Sequence, residues 1–353
     1  MRIRKIVRMF FILSAASLLA GACCWVDEDL SECAPDFRSD YELRLVTNVS
    51  TEIETKLNLD TDVYVANSLR KYLSNVFTDL AHDIDLSFYD PGAPYSRLEH
   101  KTDVIDANQT TYTFKLPARD YMNTCVANLV ENGQVDYVGS DMLDSGKLLQ
   151  AEGTKADEEV TEPHGTGLFS ARKELYVKAG IDQHFEVTLY MVNCATALVL
   201  DTSEAPAIKG IRTVVTGFAS EFSVADSTYA FLRNPLVRTE DLQVEGGTQR
   251  CFASVHFPSR DTRDNTKVVI ETEDPFLADD AGNALWQWKV YVTIADGSVT
   301  ESVINMTTPV RAGGLRILKA KVYDTGIVTT EDPTVSVSVA LDWGGGGSHE
   351  VPL

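Results

Sequence analysis

The stretch Trp286-Gln287-Trp288-Lys289-Val290-Tyr291-Val292-Thr293-Ile294-Ala295-Asp296-Gly297-Ser298-Val299 decides the fold class. Trp286, Trp288, Val290 and Val292 fall on one side of an extended chain, and Gln287, Lys289 and Tyr291 on the other, because successive strand side chains point to opposite faces. Asp296-Gly297 is a pair that accepts turn geometry, so the chain is expected to fold back there and return through residues 299–306 as a hairpin. Working outward, the same period recurs. Tyr41, Leu43 and Leu45 alternate with Glu42 and Arg44, and residues 84–88 alternate until Asp90-Pro91-Gly92 stops them. Further short strands are expected at 111–116, 184–192, 195–200, 213–215, 251–257, 268–272, 315–322 and 335–341. A second hairpin is expected around Asn132-Gly133, joining 125–130 to 134–138, and residues 141–166 read as a long surface loop. One segment differs: Leu69, Tyr72, Leu73, Val76, Phe77 and Leu80 follow the i, i+3, i+4 spacing of a single helical stripe.

Many short strands in two halves predict an all-β chain of two β-sandwiches, with a short helix in the first. The junction is placed at Asn193-Cys194, giving domains at 41–193 and 194–353. A chain of 353 residues with 44% hydrophobic residues can fill two such cores.

The N-terminal segment carries a different message. Arg2, Arg4, Lys5 and Arg8 precede a short apolar run and the small residues Ala20-Gly21-Ala22, directly before Cys23. This reads as a bacterial lipoprotein signal at 1–22, with Cys23 as the lipid attachment residue and 23–40 as an acidic tether. A plain secretory signal cleaved near Ala22 is the alternative. The net charge is −21, and loss of the signal's four basic residues makes the mature chain more acidic still. Such a chain repels nucleic acid and the surface of an anionic membrane, so its attachment is expected to be covalent.

Chemistry is hard to find. Cys24, Cys33, Cys125, Cys194 and Cys251 remain besides Cys23, an odd number without C-x-x-C spacing, and the six histidines are scattered, so no zinc site is expected. Phosphate-loop, G-x-S-x-G and H-E-x-x-H motifs are absent. Asp60-Thr61-Asp62 and Asp279-Asp280-Ala281-Gly282-Asn283 offer oxygens for calcium but lack the spaced loop, and read as solvated turns. Trp286 and Trp288 suit either a sugar-stacking platform or a core, and the core is favoured. Asp226-Ser227-Thr228 is a short match to an O-glycan acceptor. No catalytic residue, metal or cofactor is expected.

These pieces together resemble the FimB-type fimbrial anchor (minor fimbrillin) lipoproteins of Bacteroidales. The resemblance rests on Cys23 followed by Asp29-Leu30-Ser31-Glu32-Cys33, on 84–90, on Leu116-Pro117 through Tyr121 to Asn128, and on Asp296-Gly297, Thr308-Pro309-Val310-Arg311-Ala312-Gly313 and Asp342-Trp343-Gly344, in the family's order. It implies two tandem transthyretin-like sandwiches, no catalysis, and a surface-exposed outer-membrane lipoprotein of the fimbrium, which binds other fimbrial subunits by β-strand exchange. The first strand to consider is Val335, Val337, Val339 and Leu341, with the glycines at 344–347 behind it. A disulfide between Cys33 and Cys125 is expected on the same resemblance, pinning the tether to the first domain. A stalk subunit would instead lose its N-terminus after an arginine such as Arg38 or Arg44. Two other readings stay open: a surface glycan-binding lipoprotein of a polysaccharide uptake system, and a hydrolase with two close carboxylates.

Overall fold

The computed structural model describes residues 38–45, 62–76, 83–104, 111–130, 132–151, 160–242, 244, 248–261, 268–270, 284–332, 335–341 and 349–352. The described chain is all-β with one α-helix, as expected, and its strands form four sheets. The first sheet runs β3 (Arg97–Val104), β2 (Asp83–Tyr89), β5 (Asp120–Ala127), β9 (Phe169–Tyr176), β10 (Gln183–Met191), β1 (Arg38–Leu45), β4 (Thr111–Lys115). It forks in the middle, since β9 and β10 pair only at Ser170 with Tyr190 and Phe169 with Met191. β1 lies between β10, to which it is parallel, and the antiparallel β4.

The second sheet is the centre of the molecule: β16 (Glu240–Leu242), β17 (Gln249–His256), β11 (Cys194–Glu204), β21 (Leu315–Tyr323), β22 (Val328–Thr329). Its two middle strands, β11 and β17, are buried on both faces along residues 194–200 and 251–256. Ala195, Ala197 and Val199 of β11, with Cys251, Ala253 and Val255 of β17, enter the core of the first sheet beside Leu86, Phe88 and Cys125. The intervening Leu198, Leu200 and Phe252 enter a second core beside Trp286 and Trp288. Alternation therefore sorts small residues to one core and large ones to the other. These two cores share this layer.

The third sheet closes the second core: β24 (His349–Pro352), β23 (Val335–Leu341), β20 (Val299–Met306), β19 (Trp286–Thr293), β12 (Gly210–Thr216), β15 (Leu236–Arg238), β8 (Val160–Thr161). The expected hairpin is there, with Thr293 opposite Val299. Gly297 takes a φ of 96°, and the Asp296 carboxylate accepts from the Ser298 amide at 2.8 Å, which fixes the turn. Gly217 has a φ of 90°, and a Cβ there would lie 2.6 Å from the Trp286 Cα, so a glycine is needed where the chain leaves β12.

The fourth sheet, β18 (Val268–Ile270), β14 (Thr228–Phe231), β13 (Glu221–Ser223), β7 (Lys147–Gln150), β6 (Val135–Val138), corrects two expectations. Asn132-Gly133 does not make a hairpin of β5 and β6. The Asp83 carboxylate accepts from the Leu129 and Val130 amides at 2.9 and 3.2 Å and draws the chain out of the first sheet, so β6 pairs with β7 instead. Nor are residues 141–166 all surface loop. β7 pairs with β13, β8 pairs with β15, and Leu148 and His164 are buried. Hydrogen bonding thus crosses residue 193, because strands from 135–161 complete sheets built mainly by later residues. The helix α1 (Val63–Val76) begins where Asp62 accepts from the Tyr64 amide at 2.9 Å. It buries Val65, Leu69 and Leu73 and packs against β16 and β17 of the central sheet; Phe77 and Leu80 of the expected stripe lie outside the described residues.

A buried polar cluster ties the layers together. The His164 amide donates to the Val255 carbonyl at 2.8 Å. Its Nε2 lies 2.6 Å from Gln150 Oε1, and its Nδ1 lies 3.4 Å from Asn193 Nδ2. His256 Nδ1 lies 2.8 Å from the Phe257 carbonyl, and its Nε2 lies 3.0 Å from the Thr196 hydroxyl. Each ring thus has one donating and one accepting nitrogen, the pattern of two neutral imidazoles.

Candidate subunit interface

The C-terminal strands β24 and β23 form one edge of the third sheet. β23 pairs along all seven of its residues with β20, from Met306 opposite Val335 to Thr300 opposite Leu341. On its other side it meets β24, a strand of four residues that covers Ser338 to Leu341 only. Val335, Ser336 and Val337 therefore lie beyond that cover. Val339 is buried, and Val335 and Val337 are half-buried against the second core, so these three valines of the apolar face point inward. Ser336 and Ser338 occupy the alternate positions. β24 ends in Pro352, which has no amide hydrogen to give to a ladder, a residue type confined to sheet edges. No strand is expected at 349–352 from the sequence, and Pro352 is the one local sign of an edge strand there.

The other singled-out residues are widely placed. Cys23 and Cys33 lie outside the described residues, as do Asp60, Thr61, 279–283 and 344–347. Cys125 sits mid-strand in β5, between Leu86 and Ala171, fully enclosed in the first core as a free thiol. Burial, and then the nearby Asp85, push its ionisation well above the ordinary thiol range, so it stays protonated. Cys194 and Cys251 are likewise buried free thiols, and burial pushes Cys251 up to about 12. Trp286 and Trp288 are both 0% exposed, which removes the sugar platform and places them in the core. Asp62 is the helix cap. The Asp226 carboxylate accepts from the Thr228 hydroxyl at 2.6 Å, closing the turn between β13 and β14. Arg38 and Arg44 lie within β1, opposite Lys115 and Thr188 respectively, so a protease would meet them in a paired strand. Among the described residues no group of three or more His, Cys, Asp or Glu side chains is placed to hold a metal, and no helix is long and apolar enough to cross a membrane.

No protein-family model matches the chain. No curated protein matches it either. Solved structures to which it is similar include fimbrial proteins of Bacteroidales. One is the fimbrial anchor protein Mfa2 from Porphyromonas gingivalis, at 9% identity and a TM-score of 0.45, covering 86% of this chain and 97% of that one. Another is the tip fimbrial protein Mfa3 from the same organism, with C-terminal truncation, at 13% identity and a TM-score of 0.40, covering 88% of this chain and 100% of that one. A third is a candidate adhesin from Bacteroides ovatus, at 10% identity and a TM-score of 0.49, covering 90% of this chain and 96% of that one.

Proposed function

We propose that this chain is a fimbrial anchor or minor fimbrial subunit, held in the outer membrane by lipid on Cys23 and joined to neighbouring subunits by strand exchange, without catalysis. The observation that carries the reading is the short cover of β23: four residues shield a seven-residue strand. A partner strand that matched β23 in length would extend the ladder past Ser338 towards Val337, the Val335 amide already donating to the Asp332 carbonyl at 3.2 Å, and would place alternate side chains over the second core. Displacing β24 sacrifices only a small ladder, which makes the exchange favourable on balance.

Mixing tests this reading. The mature chain with residues 349–353 deleted should bind purified fimbrial subunits from the same cells faster than the intact chain. Val337→Pro, which removes a donor from β23, should abolish binding while far-ultraviolet circular dichroism is retained. Equal binding by all three would refute exchange at this edge. N-terminal mass analysis of native protein from outer membranes decides the anchor: acylated Cys23 is expected, and a chain starting after Arg38 or Arg44 would identify a polymerised subunit instead.

A further inference from the structure

A cavity of about 430 Å³ opens between the outer side of the β9–β10 fork, the β13–β14 hairpin and the segments around 259 and 311. That volume lies in the range of small-molecule sites, about 300–1,000 Å³. Its apolar part is aromatic. Phe222 and Tyr229 contact each other with ring centroids 5.0 Å apart, and the Tyr229 hydroxyl donates to the Val192 carbonyl at 2.8 Å, so that wall is fixed. Tyr190 lines the same cavity yet is 61% exposed, an aromatic side chain that the fold leaves uncovered.

The charged lining reverses the sign of the chain. The sequence holds 31 Lys and Arg against 52 Asp and Glu, whereas the cavity is lined by Arg172, Arg311 and Asp261. Both guanidinium groups are held in place before any ligand arrives. Arg172 donates through Nε to Met122 Sδ at 3.2 Å and through Nη1 to the Ala225 carbonyl. Arg311 donates through Nε to Asp261 Oδ2 at 2.7 Å, with its Nη2 2.6 Å from the same oxygen. A guanidinium carries five N–H donors in a rigid plane, so each retains hydrogens after those contacts.

We propose that this cavity binds an anionic sugar, a pyranose bearing a carboxylate. Its apolar ring face lies against Tyr190, its carboxylate meets the arginines, and its hydroxyls meet the polar rim. This goes beyond the strand-exchange reading and is independent of it, since a soluble sugar needs no second subunit.

The experiment is saturation-transfer NMR with titration on the full mature chain. The probes are N-acetylneuraminic, glucuronic and galacturonic acids, set against glucose, galactose and N-acetyltryptophanamide. At least one acidic sugar should bind below about 10 mM. Tyr190→Ala and Arg311→Gln should each weaken it by about tenfold or more, as loss of a ring face or a charge-assisted bond does. Tyr176→Ala, an exposed aromatic that does not line the cavity, should leave it unchanged. Unchanged thermal melting of Tyr190→Ala keeps the comparison clean, and Tyr190→Phe should retain binding. Failure of every acidic sugar, equal binding of neutral ones, indifference to Tyr190→Ala, or preference for the tryptophan derivative would each overturn the proposal.

Discussion

Acid should loosen this protein well before its carboxylates are neutralised, because of His164 and His256. Burial lowers both imidazoles to about 3 from the usual 6.5, His164 further through His256 beside it, while the Phe257 carbonyl partly offsets the shift at His256. The unfolded chain takes up protons on both rings near pH 6.5, and the folded chain does not until about pH 3. Folded stability is therefore complete above pH 6.5 and declines as pH falls below it, levelling off only near pH 3. At about pH 5 the loss is roughly 1.5 pH units times 1.36 kcal/mol, or about 2 kcal/mol for each ring. The two together amount to about 4 kcal/mol against a typical total of about 5–15 kcal/mol. Asp201, held below the ordinary carboxylate range first by the Ser203 amide, adds its own loss only at still lower pH. Urea unfolding followed by tryptophan fluorescence, between about pH 7 and about pH 5, reads the effect directly. The midpoint should fall steadily through this range, and the fall should flatten in the His164→Gln, His256→Gln double variant even if that variant is weaker at neutral pH. A midpoint that holds or rises on acidification, or an identical slope in the double variant, would refute the reasoning.

Three other outcomes are expected. Trp288→Ala should lower stability by about 3–5 kcal/mol, because the ring is fully enclosed in the second core, and a thermal melt should show it; a shift within about 0.5 kcal/mol would contradict that burial. Calorimetry should show one transition, since β11 and β17 belong to both cores and neither core closes without them; two separable transitions would mean the halves fold apart. Iodoacetamide should leave Cys125, Cys194 and Cys251 unmodified under native conditions and label all free thiols in urea. Intact mass before and after reduction then tests the Cys33–Cys125 bridge, with no mass change ruling it out.

The elements that were legible in the sequence are those whose partners lie next to them along the chain. Trp286 to Met306 alternates cleanly and carries its own turn, so strand, register and buried face all follow. Asp83 shows the opposite case: it redirects the chain after Asn128 by accepting from two amides, and nothing around Asn132-Gly133 records that. Lys147 to Gln150 is too short for a period to register, and becomes a strand because Val135 to Val138 lies on one side of it and Glu221 to Ser223 on the other. The sequence of β11 marks a strand, but a short apolar stretch interrupted by Thr196 does not say that both of its faces are covered. The two tryptophans were ambiguous for a related reason: i, i+2 spacing specifies a common face without saying what covers it. The cavity residues come from five separate stretches of the sequence, and no local pattern links Tyr190 to Arg311.

The position of β1 bears on how such a molecule would carry a load. Residue 38 opens a strand that is hydrogen-bonded on both flanks, to β10 along Ser39–Leu45 and to β4 along Arg38–Glu42. Tension arriving through the N-terminal side and resisted by the body of the fold runs lengthwise along that strand. Its bonds then lie across the direction of pull and must fail as a group, whereas a strand peeled from a rim gives way bond by bond. A pull entering at residue 38 is therefore met in shear.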